Sequence, residues 1–153
     1  MFQKSGITSI PWDFPNLVNA VQMFYKANIT ELELNTSKTF PSIRPSSAAE
    51  GFQAAGNDGP GVPNPVAHMF AYCPLTTLKF DVSSLSNGLA MFSHCDKLTT
   101  CTGAVFQEEG NYQNMFTESK FDEASALTIF QAAVSANVEI LHIGCGFPLS
   151  ADC

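Results

Sequence analysis

Every methionine in this chain is followed by phenylalanine: Met1-Phe2, Met23-Phe24, Met69-Phe70, Met91-Phe92 and Met115-Phe116. Chance placement of 5 Met and 13 Phe in 153 residues gives fewer than about one such pair, so the chain carries an internal repeat. The steps between pairs are 22, 46, 22 and 24 residues, and the step of 46 reads as two units, one of them degenerate. Gly51-Phe52-Gln53 stands where the missing pair belongs, and Ile129-Phe130 opens a last unit. Phe2, Phe24, Phe52, Phe70, Phe92, Phe116 and Phe130 are then the expected core spine, with no chemical role.

After each pair comes a run of the form apolar-x-x-apolar-x-apolar. Ile7–Trp12, Ile29–Leu34, Leu75–Phe80 and Val138–Ile143 carry it well. Leu98–Gly103 is a weaker copy, and Phe121–Ala126 weaker still. Alternation with β-branched residues predicts a short strand with one buried face. The stretch before each pair has a helical pattern, since Leu17, Val21 and Phe24 share one stripe. Asn16, Asn64, Asn87 and Asn111 stand where helix N-caps belong. The expected fold is an α/β solenoid of about seven units of roughly 22 residues, with short parallel strands alternating with short helices or turns.

The leucine-x-x-leucine-x-leucine spacing is similar to that of leucine-rich repeats. The sub-pattern Met-Phe-x-x-Cys-x-Leu-Thr-x-Leu, best seen from Met69 to Phe80 and next from Met91 to Cys101, resembles the BspA-like group of surface proteins. Pro15, Ser37 and Ser83 occupy the position where the commonest leucine-rich repeat has Asn or Cys, so no asparagine ladder is expected. The resemblance implies a parallel-sheet solenoid, a role in adhesion or partner recognition, an extracellular, cell-surface or virion-surface location, and no enzymatic activity.

By length the chain, 1–153, is one domain. Residues 36–66 hold five of the nine prolines and four of the ten glycines, and they read as a degenerate repeat or inserted loop. Its tip, with Asn57 and Asp58, is a candidate binding element or simply a place where the repeat decays. Residues 144–153 break the pattern and serve as an expected C-terminal cap. The first unit has no polar cap before it, which exposes apolar edge and strand groups. That predicts a homo-oligomer or larger assembly through the N-terminal coil.

A net charge of −7 with only seven Lys+Arg opposes binding to a phosphate backbone or an anionic membrane. Residues 1–7 lack the basic start and apolar core of a signal peptide, and no apolar run is long enough to span a bilayer. The expected partner is therefore a protein or a glycan on a host or partner surface, with no nucleic acid and no membrane insertion.

The third and fifth residues of each strand face away from the core. Glu31, Glu33, Thr77, Lys79, Thr100, Thr102 and His142 form the candidate binding face, and their other reading is β propensity alone. No catalytic set, metal set or cofactor motif stands out. His94, Cys95 and Asp96 are neighbours in sequence, which rarely builds a nucleophile and its base. Cys73 and Cys95, each four residues after a repeat Met, are expected to stack as buried side chains in neighbouring coils. Cys145 and Cys153 are candidates for a C-terminal disulfide. The acidic residues from Glu108 to Glu123 read as a solvated face or a weak Ca²⁺ site. Two reading frames for function follow: a recognition or adhesion module using the strand face and the 36–66 loop, or a structural virion or appendage component docking through its first coil.

Overall fold

The computed structural model describes residues 1–43 and 66–146. Strands β1 (Glu31–Asn35), β2 (Thr77–Asp81) and β3 (Thr100–Val105) form one parallel sheet in that order. Strand β4 (Asn111–Phe121) pairs in parallel with β5 (Ile140–Cys145) in a second sheet. The short helix α1 (Thr36–Thr39) follows β1, and α2 (Glu123–Ser135) joins β4 to β5.

Alternation builds the first sheet as the pattern requires. Leu32 and Leu34 of β1, Leu78 and Phe80 of β2 and Cys101 of β3 are buried, while Glu31, Glu33, Lys79 and Thr102 are exposed. Glu31 pairs with Thr77 and Thr77 with Thr100, so the strand starts align. A bulge then shifts β3 by one residue, setting Gly103 rather than Thr102 opposite Lys79.

Behind this sheet runs a column of aromatic rings. Phe2 stacks on Phe24 at 5.4 Å, Phe24 on Phe70 at 5.2 Å, Phe70 on Phe92 at 5.4 Å and Phe92 on Phe116 at 5.6 Å, all within 10° of parallel. Phe24, Phe70, Phe92 and Phe116 are fully buried, each removal from water contributing roughly 1.5–3 kcal/mol. Phe52 lies outside the described residues. Phe130 stands on α2, 42% exposed, apart from the stack.

The seven-unit, leucine-rich-repeat-like solenoid is not formed. The described residues make two small open parallel sheets of three and two strands, with two helices. One reason is spacing: Phe24 and Phe70 lie 5.2 Å apart and β1 pairs directly with β2, so the step of 46 residues joins adjacent levels of the stack. A second is that the expected strand over Phe121–Ala126 gives way to α2. Asp122 caps that helix by accepting a bond from the Ser125 amide at 2.8 Å, and Ala-rich sequence continues it through Ile129-Phe130. The expected strand over Ile7–Trp12 is also absent, since Pro11 removes a backbone donor within it.

The third reason lies in the stretches around Met-Phe, which are turns or strand instead of helix. The Met69 amide bonds the Val66 carbonyl, Ala71 bonds His68 and Cys73 bonds Phe70, each three residues back. His68 (φ 54°) and Tyr72 (φ 61°) are left-handed at the third position of their turns, where a type II turn favours glycine. Gln22 and Lys26, Ala90 and His94, and Asn114 and Glu118 repeat this pair of positive φ values around the other Met-Phe pairs. Asn87 and Asn111 cap such turns, not helices: their Oδ1 atoms accept from the Leu89 and Gln113 amides at 3.0 and 3.1 Å. Asn19, not Asn16, does the same for Val21 at 3.0 Å. Turns from successive repeats are tied by parallel bonds, such as Phe24 N–H to Met69 O at 2.9 Å and Phe70 N–H to Met91 O at 2.9 Å.

Of the expected 36–66 loop, the described part holds α1 and the buried Phe40 and Ile43, which pack into the core. The expected cap begins inside β5, which runs through Cys145.

Candidate functional site

The outer face of the first sheet gathers six of the seven strand-face residues. Its first row is Glu31, Thr77 and Thr100, and its second is Glu33, Lys79 and Gly103, with Thr102 exposed at the bulge. The missing Cβ of Gly103 leaves room for the Lys79 stem, whose Cγ would lie 3.4 Å from an added methyl. The Lys79 ammonium reaches the other way and donates to Glu33 Oε1 at 2.7 Å. That hydrogen bond, and the charge behind it, hold the Glu33 carboxyl below its usual range. Both side chains remain largely in water, so the pair orders the surface more than it stabilises the fold.

The third row is already satisfied from within. Asn35 Nδ2 donates to Asp81 Oδ2 at 3.2 Å, and Asp81 Oδ1 accepts from the Ser83 amide at 3.0 Å and its hydroxyl at 2.6 Å. The first row differs. Among the described residues, the Glu31 carboxylate and the Thr77 and Thr102 hydroxyls have no protein hydrogen-bond partner, and the Thr100 hydroxyl has only a long 3.5 Å contact to Thr99. Unengaged acceptors and donors thus lie side by side at the strand spacing of about 4.8 Å.

His142 stands elsewhere, on β5 of the second sheet. Its Nδ1 lies 2.8 Å from Asn114 Oδ1 and 3.3 Å from the Asn114 backbone nitrogen. Asn57, Asp58 and Cys153 lie outside the described residues, so the loop site and the Cys145–Cys153 disulfide lie there too.

A second surface feature escaped the sequence reading. The Lys26 ammonium sits 5.3 Å from the Tyr25 ring centre and 5.0 Å from that of Tyr72. Tyr72 stacks on His94 at 4.4 Å, and His94 Nδ1 meets Glu118 Oε2 at 2.8 Å. Lys26, Tyr72, His94 and Glu118 each stand three residues after a repeat Met, and that shared offset was the available signal. Tyr72 also meets the Tyr25 ring edge-on at 5.3 Å, so the members of this column pack largely on one another.

The cysteines are turned inward. Cys73 Sγ donates to the Phe24 carbonyl at 3.2 Å and Cys95 Sγ to the Phe70 carbonyl at 3.3 Å. Burial pushes the Cys73 thiol up to about 12 and raises those of Cys95 and Cys101 as well. The His94 ring and the Cys95 thiol thus serve different neighbours and do not converge. Among the described residues no group of three His, Cys, Asp or Glu side chains is placed to hold a metal ion, and no helix is long and apolar enough to cross a membrane. Compared with known proteins, the chain matches no family model, no curated protein and no solved structure.

Proposed function

We propose that this protein is a non-enzymatic recognition or adhesion module that binds a partner protein or glycan through the outer face of β1–β2–β3. The observation that carries the reading is the first row of that face. Glu31, Thr77, Thr100 and Thr102 offer hydrogen-bonding groups that the fold itself leaves unused, beside an ordered Lys79–Glu33 pair. A lightly charged hydroxyl surface recognises by matched hydrogen bonds, not by strong electrostatic attraction. The reading carries with it an extracellular, cell-surface or virion-surface setting.

The test is a screen of glycans and surface proteins with the wild type and with Thr77→Glu/Thr100→Glu, after circular dichroism has established equal folding. A ligand bound by the wild type and lost by the variant supports the reading. A ligand bound equally by both removes this face from the account.

A second reading, a structural virion or appendage component docking through its first coil, is favoured by a separate observation. Met1 is 89% exposed and Val18 67% exposed, and Trp12, which stacks on Phe2 at 6.0 Å, is also presented to solvent. Sedimentation at micromolar concentration tests it: assembly is the expected result, and a monomer at all concentrations with every candidate subunit contradicts it.

A further inference from the structure

Two asparagines are followed, two residues on, by a side-chain hydroxyl: Asn28-Ile29-Thr30 and Asn35-Thr36-Ser37. Such a triplet is an acceptor for N-linked oligosaccharide when its middle residue is not proline and its asparagine lies on the surface. The two triplets flank β1, and the fold treats them oppositely.

At Asn35 the side chain is committed. Its Nδ2 donates to Asp81 Oδ2 at 3.2 Å, which ties β1 to β2. Its Oδ1 accepts from the Lys38 amide at 3.0 Å, capping α1, and from the Ser37 hydroxyl at 2.8 Å. Thr36, between them, is buried, with its hydroxyl 2.7 Å from Ser84 Oγ. A sugar on Asn35 Nδ2 would displace Asp81 and pull the cap from α1.

Asn28 differs at each point. It lies just before β1, outside any helix or strand, and its side chain is exposed. Neither that side chain nor the Thr30 hydroxyl has a protein hydrogen-bond partner among the described residues. The backbone beneath them is nonetheless fixed. The Asn28 amide donates to the Ser5 carbonyl at 3.1 Å, Ile29 is fully buried, and the Thr30 carbonyl accepts from the Thr76 amide at 2.7 Å. The triplet is thus held by its main chain and its middle residue, with both reacting side chains left to solvent.

We propose that Asn28 carries an N-linked oligosaccharide and that Asn35 does not. Asn28 Nδ2 bonds to the anomeric carbon of an oligosaccharide supplied on a lipid pyrophosphate. The bond from that carbon to the pyrophosphate oxygen breaks, the lipid pyrophosphate leaves, and the amide gives one proton to a base of the transferase. The assignment rests on the extracellular setting of the recognition reading, because transfer occurs during secretion.

The test is secretion of the full chain from a eukaryotic host behind a cleavable leader, with peptide mass mapping before and after peptide N-glycosidase. The wild type is compared with Asn28→Gln and with Thr30→Ala, which keeps the asparagine and removes the hydroxyl. Both positions are exposed, so the fold survives either change. The expected result is one releasable glycan on the folded wild type, conversion of Asn28 alone to aspartate on release, and no glycan on either variant. The proposal is overturned by an unmodified wild type, by a glycan on Asn35 of the folded protein, or by a glycan that survives Asn28→Gln. Occupancy is read by mass, independently of ligand binding. A chain glycosylated at Asn28 that binds nothing in the screen therefore contradicts the recognition reading alone, and one that binds with Asn28 unmodified contradicts this assignment alone.

Discussion

Phe24 and Phe70 stack face to face at 5.2 Å with their planes 2° apart, although 46 residues separate them. Each ring is fully buried, and Phe70 is covered on its other side by Phe92. A truncation inside the column therefore removes two stacking partners and leaves a cavity that its flat neighbours cannot close. Phe70→Ala should cost about 3–5 kcal/mol, read as a lower urea midpoint at unchanged slope. Phe130→Ala, on the exposed side of α2, should cost much less.

The turns make a prediction of opposite sign. Glu109 is exposed with φ 54°, a conformation that costs an L-residue roughly 1–2 kcal/mol. Glycine adopts it freely but adds about 0.5–1 kcal/mol of unfolded-state freedom. Glu109→Gly should therefore stabilise slightly, by about 0.5 kcal/mol, measured by denaturant titration.

The repeat was legible and its local geometry was not. Stacking demands the same ring at every level, so Met-Phe survives as a visible period. The left-handed positions carry Gln22, Lys26, His68, Tyr72, Ala90 and His94, with Asn114 the one asparagine in the series, so no consistent glycine or asparagine signature marks the turns. Residues 31–35 and 77–81 were legible as strands because one face alternates cleanly into the core, and 100–105 less so, because only Cys101 of that strand is buried. Helix α2 was missed because the repeat period was carried through Asp122-Glu123-Ala124-Ser125, a cap and first turn readable in their own right. The alternation placed Glu31, Glu33, Thr77, Lys79, Thr100 and Thr102 on the outer side of one sheet, but not His142, which stands on β5 of the other. The bulge that exposes Thr102 and sets Gly103 beside Lys79 was not legible, because nothing in the alternation announces an extra residue.

Tyr112 offers a test of buried polar pairing. Its ring is fully buried, its hydroxyl donates to the Leu85 carbonyl at 2.8 Å and accepts from the Gln107 amide at 2.9 Å. Burial pushes the phenol up from its ordinary value. Tyr112→Phe strands both backbone groups and should cost about 1–3 kcal/mol by urea unfolding. Gly110 lies against the same ring, with an added Cβ 2.5 Å from Tyr112 Cε2, so Gly110→Ala should also destabilise.

Proton linkage gives a direction for acid and for thiol chemistry. Burial, with the charge of His94, lowers His68 from its ordinary 6.5. A base depressed by folding is neutral in both states above that value, so its full contribution stands there and is lost as pH falls through the folded value. Asp122, lowered by its bonds to Ser125, likewise contributes above its ordinary 3.8 and loses that contribution as pH falls through the depressed value. Urea midpoints should therefore decline from just below pH 6.5, and His68→Gln should flatten the first part of that decline. At pH 8 the native thiols of Cys73, Cys95 and Cys101 should resist N-ethylmaleimide and react once urea unfolds the chain, as peptide mapping would show.

The most direct measurement for recognition by the β1–β2–β3 face is a calorimetric titration of the ligand that the screen identifies. It compares the wild type with Glu31→Gln, Thr77→Glu/Thr100→Glu and Leu127→Gln/Val134→Gln. The account predicts a loss of about tenfold or more in affinity for the threonine double variant, a smaller loss for Glu31→Gln, and none for the α2 variant. Equal affinity of the wild type and the threonine double variant, with both folded, would contradict it.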